Sequence, residues 1–198
     1  MLYTVTPSLY SAYYWYKRLE GTTDEDFLNT LRKIDTPKTE LMQRGIDFEN
    51  SILTATETGE YIGDDAVFEI AKLIKGGEWQ KLCQRQLNDD VLVKGRIDVY
   101  FPDKIYDIKF TDNYDLGKYK YSIQHLVYMY CTDVPVFEYL VGTPSSFYTE
   151  HYYWCEDAAQ LLDSRVSELL DFIFRYPEFR DAYEANWILH DHTVSTKL

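Results

Sequence analysis

Two aspartates and a lysine stand close together in the stretch RIDVYFPDKIYDIKF, residues 96–110: Asp98, Asp107 and Lys109. Asp107 and Lys109 are two residues apart, so in a strand their side chains leave the same face. Hard cations such as Mg²⁺ prefer carboxylate oxygens, and an ammonium beside such an ion can orient a water or stabilise charge on a phosphate. The stretch therefore fits a metal site that cleaves phosphodiesters. It also fits an exposed hairpin with a weak Asp–Lys pair, which the common D-x-K tripeptide alone favours.

The elements that must position these side chains are three strands and the helix after them. Residues 78–89, 91–101 and 104–110 have strand patterns, and Pro102-Asp103 is a strong turn signal between the last two. Residues 114–132 have a helical pattern, and its predicted buried side consists of Leu116, Tyr119, Ile123, Leu126, Val127 and Tyr130. Gln124 and Tyr128 are four residues apart, so they share one face of that helix and can look back over the hairpin.

The rest of the chain has similar patterns. Helices are predicted over 6–20 with Ser8 or Thr6 as N-cap, inside the polar segment 21–39, over 40–60 with an end near Gly59, and over 156–179 with an end before Pro177. Residues 66–74 fit a short helix or a turn, and residues 136–143 and 147–155 fit strands. The order predicts an α/β fold in which a mixed central β-sheet is flanked by α-helices.

Composition and length narrow the class of protein. A chain of 198 residues with 45% hydrophobic and 17% aromatic residues predicts one packed domain over 1–198. Three widely spaced cysteines exclude a disulfide framework and argue against a zinc knuckle or a four-cysteine iron–sulfur cluster. Without a signal pattern or an apolar run near about eighteen residues, we expect a cytoplasmic protein with no membrane partner.

Charge is distributed unevenly along the chain. The formal net charge is −13, which argues against binding to a polyanion, but ten of the 20 basic side chains fall in residues 72–120. An acidic body repels stray nucleic acid while a local basic groove attracts it. The charge therefore lowers the expectation of DNA binding without excluding it.

Three motifs occur in a characteristic order: GRID at 95–98, YDIK at 106–109 and QHLVY at 124–128. In this order they resemble the PD-(D/E)XK nuclease superfamily, in particular its RecB-like and lambda-type phage exonuclease branch. Upstream, RGIDFENSI at 44–52 and TPSLYSAYYWY at 6–16 are similar to that branch's first-helix motif and N-terminal segment. The resemblance implies a restriction-endonuclease-like core. Its iron–sulfur subgroup is excluded, because that subgroup needs four cysteines.

The resemblance also implies roles for individual residues. Glu49, Asp98, Asp107 and the backbone carbonyl of Ile108 would bind Mg²⁺ or Mn²⁺, and Lys109 would be the catalytic lysine. Gln124 and Tyr128 would position the lysine, the water or the phosphate. From charge and nearness in sequence, and not from the resemblance, we add candidate DNA contacts at Arg96, Lys118, Lys120 and His125.

The implied activity is a metal-dependent deoxyribonuclease that leaves 5′-phosphate and 3′-hydroxyl ends. The branch favours an exonuclease acting on DNA ends in phage-type recombination, with a single-strand annealing protein as partner, a ring-like homo-oligomer, and the host cytoplasm as location if the protein is phage-encoded. Two alternatives stay open: an endonuclease of the same superfamily, and a non-catalytic binding or assembly protein with this fold.

Overall fold

The computed structural model describes residues 1–19, 21–60 and 65–189. Its helices are α1 (Pro7–Tyr16), α2 (Asp24–Leu31), α3 (Glu40–Thr58), α4 (Asp65–Ile74), α5 (Gln124–Thr132), α6 (Ala158–Arg175) and α7 (Pro177–Trp187). Its strands are β1 (Leu2–Val5), β2 (Glu78–Asn88), β3 (Val91–Tyr100), β4 (Ile105–Phe110), β5 (Val136–Gly142), β6 (Phe147–Tyr153) and β7 (Ile188–Leu189). None of the described helices is both long and apolar enough to cross a bilayer.

The seven strands of the described residues form one mixed sheet. Its order is β6-β5-β4-β3-β1-β7, and β2 also pairs with β3. The β4–β5 and β1–β3 pairs are parallel and the others antiparallel. Helices α1, α2, α5, α6 and α7 contribute to the larger buried apolar cluster, and α3 and α4 contribute to a smaller one. The predicted α/β architecture, a mixed central sheet flanked by helices, is confirmed.

Strand β3 shares one of its edges between two partners. Because β2 pairs with β3 from Val91 to Tyr100, β1 and β4 must both use the other edge. Strand β1 pairs there with residues 91–93, and β4 pairs with only Val99 and Tyr100. Residues 94–98 of that edge have no paired strand in the described part of the chain. We call this gap between β3 and β4 the fork.

Local signals located several elements correctly. The hydroxyl of Thr6 accepts a hydrogen bond from Leu9 N at 3.2 Å, which confirms one of the two predicted N-caps of α1. Helix α3 ends at Thr58, directly before Gly59, as predicted. The segment 66–74, which fitted a helix or a turn, is helical in α4.

The predicted helix over 114–132 is too long. Helix α5 begins only at Gln124, and the residues before it form turns. Gly117 has a positive φ of 81°, which a right-handed helix does not allow. Leu116, predicted to be buried, is 88% exposed. This early segment therefore passes over the surface and leads the chain back to the sheet.

Three further elements were missed. Strands β1 and β7 are four and two residues long, too short to give an alternating pattern. The helix predicted over 156–179 is interrupted as expected before Pro177, but α7 starts at that proline. Its buried residues Phe179, Tyr183 and Trp187 are four residues apart, a helical pattern that the sequence interpretation overlooked.

Candidate active site

The carboxylate of Asp98 links β3 to β4 at the end of the fork where the β3–β4 ladder stops. The β3–β4 ladder consists of the pairs Val99–Tyr106 and Tyr100–Ile105. Beyond them, Asp98 Oδ2 accepts a hydrogen bond from Ile108 N at 2.9 Å. A side chain thus replaces the next ladder bond, so the strands can separate without leaving this buried backbone donor unpaired. Asp98 is fixed at the point where the two strands part.

Asp107 lies next to this point and is completely buried. Its Oδ1 accepts a hydrogen bond from Gln124 Nε2 at 2.5 Å, and its Oδ2 lies 2.5 Å from Lys109 Nζ. Burial, and then the nearby charge of Asp98, raise the pKa of Asp107. Desolvation lowers the pKa of Lys109, but the carboxylates of Asp107 and Asp98 raise it more. The two carboxylates and the ammonium therefore form one electrostatically coupled group.

Helix α5 places two polar side chains across the fork. Gln124 Nε2 also lies 3.2 Å from the hydroxyl oxygen of Tyr128, and that hydroxyl donates to the backbone carbonyl of Arg96 at 2.7 Å. A Cβ added to Gly95 would come within 2.5 Å of the Tyr128 ring. The glycine of the GRID motif is thus what lets the tyrosine of the QHLVY motif approach β3.

Glu49 reaches the region from α3. Its carboxylate accepts a hydrogen bond from Gln80 Nε2 at 2.8 Å, and burial and then the charge of Asp98 raise its pKa. Gln80 has a positive φ of 53° and lies in β2 between the residues paired with Val99 and Ile97. Glu49 is therefore close enough to interact electrostatically with Asp98, but its hydrogen-bonding partner is a residue that the sequence interpretation did not single out.

The residues present fit a divalent cation. Among the described residues, no group of three His, Cys, Asp or Glu side chains that could hold a metal ion is found. Glu49 as a metal ligand beside Asp98 and Asp107 stays a prediction. Mg²⁺ in proteins is commonly held by one or two carboxylates, with waters and substrate phosphate completing its shell. Asp98 and Asp107 supply such a pair of hard oxygen donors. The carbonyl of Ile108 as a ligand stays a prediction.

A cleft of about 1130 Å³ opens onto the fork. Asp98, Lys109, Gln124 and Tyr128 are among its lining residues. Its charged lining residues are four basic and one acidic: Lys94, Arg96, Lys109, Lys118 and Asp98. The cleft is thus predominantly basic in a chain whose formal net charge is −13.

The predicted DNA contacts divide into three placements. Arg96 and Lys118 line the cleft, and Lys118 Nζ is held by Thr111 Oγ1 at 2.6 Å and the carbonyl of Asn113 at 2.8 Å. Lys120 lies beside the cleft, with its Nζ 4.8 Å from the centre of the Tyr121 ring.

His125 is buried instead, and the prediction that it contacts DNA is wrong. Its ring stacks on Tyr152 at 4.0 Å, and burial lowers its pKa to about 3. On α5 it follows Gln124 directly, and neighbouring helical residues point in different directions. His125 therefore faces the apolar core while Gln124 faces the fork.

Lys94 is a cleft residue that the sequence interpretation missed. It lies two residues before Arg96 and four before Asp98 on β3, so the three share one side of an extended strand. Alternation along that strand was the signal that could have found it.

Similarity to solved structures supports the fold. The chain resembles the crystal structure of an alkaline exonuclease, LHK-Exo, from Laribacter hongkongensis, with a TM-score of 0.52 and 13% identity over 92% of this chain and 90% of that one. LHK-Exo in complex with dAMP gives a TM-score of 0.54 and 13% identity over 91% and 90%. No family model matches the sequence, and no curated protein matches it. At this identity the similarity shows a shared fold, which confirms the architecture that the motifs implied.

Proposed function

We propose that this protein is a deoxyribonuclease that depends on Mg²⁺ or Mn²⁺ and acts as an exonuclease on DNA ends. The observation that carries the proposal is that Asp98 and Lys109 line a basic cleft, while the buried Asp107 is paired with Lys109 and interacts electrostatically with Asp98. These residues come from two strands that separate there, and α5 adds Gln124 to the same group. Chance surface polarity does not explain a completely buried aspartate held by an amide and an ammonium.

The charge of the cleft supports DNA as the substrate. Phosphate contacts dominate the affinity of proteins for nucleic acid, and they require lysine or arginine side chains on the path of the backbone. Lys94, Arg96 and Lys118 provide such a path toward Asp98. The acidic remainder of the surface would disfavour other docking sites for DNA, so the same charge distribution would direct the polyanion to this cleft.

Each polar residue at the fork has a distinct task in the proposed reaction. A divalent ion held by Asp98 and Asp107 would supply neutralisation of phosphate charge and activation of a water. Lys109, fixed by its ion pair, presents ammonium donors to the phosphate oxygens and the attacking water. Gln124 fixes the orientation of the Asp107 carboxylate, and Tyr128 fixes Gln124 and the backbone of Arg96. This restraint holds the reacting groups in one geometry.

The structural neighbours support the finer part of the proposal. LHK-Exo is an alkaline exonuclease and has been crystallised with dAMP. By analogy in fold, we extend to this chain an action on DNA ends. The motif resemblance, and not these neighbours, is the basis on which we further propose a single-strand annealing protein as partner and homo-oligomerisation, and the cytoplasmic location rests on the sequence alone.

The experiment compares linear with closed-circular duplex DNA, in Mg²⁺, Mn²⁺ or EDTA, for the wild type and for Asp107→Ala and Lys109→Ala. We expect metal-dependent loss of linear DNA only, and its abolition in both variants. Cleavage of closed-circular DNA would show that the protein is an endonuclease and not an exonuclease. No cleavage of any substrate by the wild type would overturn the enzymatic proposal, and full activity in Asp107→Ala would show that the site lies elsewhere.

A further inference from the structure

Part of the cleft lining is an aromatic wall. It consists of Tyr14 and Trp15 from α1 and Tyr121 from the turn segment before α5, all of which line the cleft. The rings of Tyr14 and Tyr121 stack with their centres 5.8 Å apart, and Trp15 meets Tyr14 edge-on at 5.2 Å. We call these three residues the aromatic wall.

The four aromatic residues of the sequence YYWY at 13–16 face two different sides of α1. Tyr13 and Tyr16 are three residues apart on α1, and both pack against Phe27 and Phe172. The two residues between them point to the cleft instead. Core packing therefore accounts for Tyr13 and Tyr16, and Tyr14 also packs partly against the core, so Trp15 is left without that explanation.

The wall is open to solvent although it is apolar. Trp15 is 49% exposed and Tyr121 is 47% exposed, while Tyr14 lies between them and is half-buried. The Arg18 guanidinium lies 3.8 Å from the centre of the Tyr14 ring and holds it in place from one side. The structure thus fixes Tyr14 and leaves about half of the Trp15 and Tyr121 side chains exposed, with Lys120 Nζ 4.8 Å from the centre of the Tyr121 ring.

The wall and the basic residues belong to one continuous cleft. Lys94, Arg96 and Lys118 line the same cleft as the aromatic wall and Asp98. Its volume of about 1130 Å³ exceeds the ~300–1,000 Å³ that is usual for small-molecule pockets, so it has room for more than one nucleotide. Aromatic rings interleaved with cationic side chains are the means by which proteins bind single-stranded nucleic acid.

We infer that the aromatic wall binds the bases of unpaired nucleotides, so that the proposed nuclease takes its DNA as a single-stranded end. This inference rests on the proposed function, because it assigns the strand state of the same substrate. Bases inside a duplex are stacked on one another and have no free face for Trp15 or Tyr121. A base that has left the duplex exposes its π-face, and the basic residues hold the backbone on the path to the fork.

The test measures binding without cleavage. Fluorescein-labelled oligothymidylate and a blunt hairpin duplex are titrated in EDTA with the wild type, Trp15→Leu and Tyr121→Leu. Tyr153→Leu is the matched control, because Tyr153 is a 68% exposed tyrosine on β6 outside the cleft lining. We expect each wall variant to bind the single strand roughly 5- to 150-fold more weakly than the wild type and to bind the duplex with unchanged affinity. The control variant should bind both DNAs as the wild type does. Thermal unfolding of each variant verifies that the fold is retained.

Three results would overturn the inference. The wild type could fail to bind the single strand, the wall variants could bind it with wild-type affinity, or they could lose as much affinity for the duplex as for the single strand. The second would leave a protein partner as the occupant of the wall. Failure of the proposed function gives a different result, since absent cleavage in Mg²⁺ together with wall-dependent binding in EDTA would refute the nuclease and retain the binding site.

Discussion

The hydroxyl of Tyr128 donates a hydrogen bond to the backbone carbonyl of Arg96 at 2.7 Å, in the gap where β3 and β4 separate. Arg96 pairs with Leu82 of β2 on one edge of β3, but on the edge that faces the fork it has no strand partner, because the β4 ladder begins only at Val99. Gln124 lies 3.2 Å from the same hydroxyl and donates to Asp107. The helix therefore both completes the sheet and orients the buried carboxylate, which couples the stability of the fork to the geometry of the proposed site.

Replacing Tyr128 with Phe should affect both stability and activity. The variant leaves the Arg96 carbonyl unsatisfied, at a cost of about 1–3 kcal/mol, and removes a restraint on Gln124. Tyr183→Phe is the control, because the Tyr183 hydroxyl donates to the carbonyl of Thr4 at 2.9 Å, away from the cleft. Urea unfolding should show a similar loss in both variants. Only Tyr128→Phe should reduce the rate of DNA cleavage, and equal rates would contradict the coupling.

Adding one methyl group at Gly95 should displace Tyr128. The new Cβ would lie 2.5 Å from the ring, which is closer than side chains tolerate, so the ring or the strand must move. Gly95→Ala should cost about 1–3 kcal/mol and lower the cleavage rate. Gly45→Ala on α3 is the control, since the nearest atom to its Cβ is 4.0 Å away and alanine favours a helix by about 1 kcal/mol. If Gly95→Ala changed neither the free energy of unfolding nor the cleavage rate, the close approach of Tyr128 to Gly95 would be refuted.

Burial of His125 predicts a dependence of stability on pH. Its folded-state pKa is about 3 and its usual value 6.5, so the unfolded chain binds a proton between these values that the folded chain does not. Stability contributed by this residue is therefore complete above about pH 6.5 and is lost as the pH falls toward 3. His125→Phe removes this contribution.

The measurement compares the free energy of unfolding of the wild type and His125→Phe at pH 7 and pH 5. From pH 7 to 5 the wild type should lose about 2 kcal/mol more than the variant, which follows from one proton over about 1.5 pH units. Equal losses would mean that His125 is protonated in the folded protein and hence is not buried as described.

The basic side chains of the cleft should carry the salt dependence of DNA binding. Lys94→Gln and Arg96→Gln should each weaken binding and reduce the slope of log affinity against log salt by about 0.7 for a single strand. Arg175→Gln, at the exposed end of α6, provides a control of the same charge change. If all three variants reduced DNA affinity and the salt slope equally, the DNA would be attracted by the overall surface charge and not by a defined path along the cleft.

Much of the site could be predicted because its signals are local. The hairpin carrying Asp98, Asp107 and Lys109 follows from strand alternation around a Pro-Asp turn, and Gln124 and Tyr128 follow from helical spacing. These relationships depend on residues within one element or on two adjacent ones.

The remaining features depend on contacts that are distant in sequence. Strand β1 exists because β3 pairs with it some ninety residues later, and its four residues give no pattern alone. The inward direction of His125 depends on how α5 is rotated over the sheet, which periodicity leaves open when both faces are apolar. The hydrogen bond from Gln80 to Glu49 depends on an irregularity in β2.

The central claim is that the pair Asp107–Lys109 performs chemistry and does not merely hold strands together. The chain offers a matched pair in Glu138 and Lys104, a buried carboxylate 2.6 Å from a lysine ammonium that does not line the cleft. Both Asp107→Asn and Glu138→Gln remove the charge of a buried acid beside a lysine. Circular dichroism should show that both variants are folded at the assay temperature.

The decisive measurement is the single-turnover rate of cleavage of end-labelled linear DNA in saturating Mg²⁺ for the wild type, Asp107→Asn and Glu138→Gln. We predict that Asp107→Asn lowers this rate at least ~100-fold while Glu138→Gln stays within about threefold of the wild type. Equal rates in the two variants, whether both high or both low, would contradict a catalytic role for Asp107.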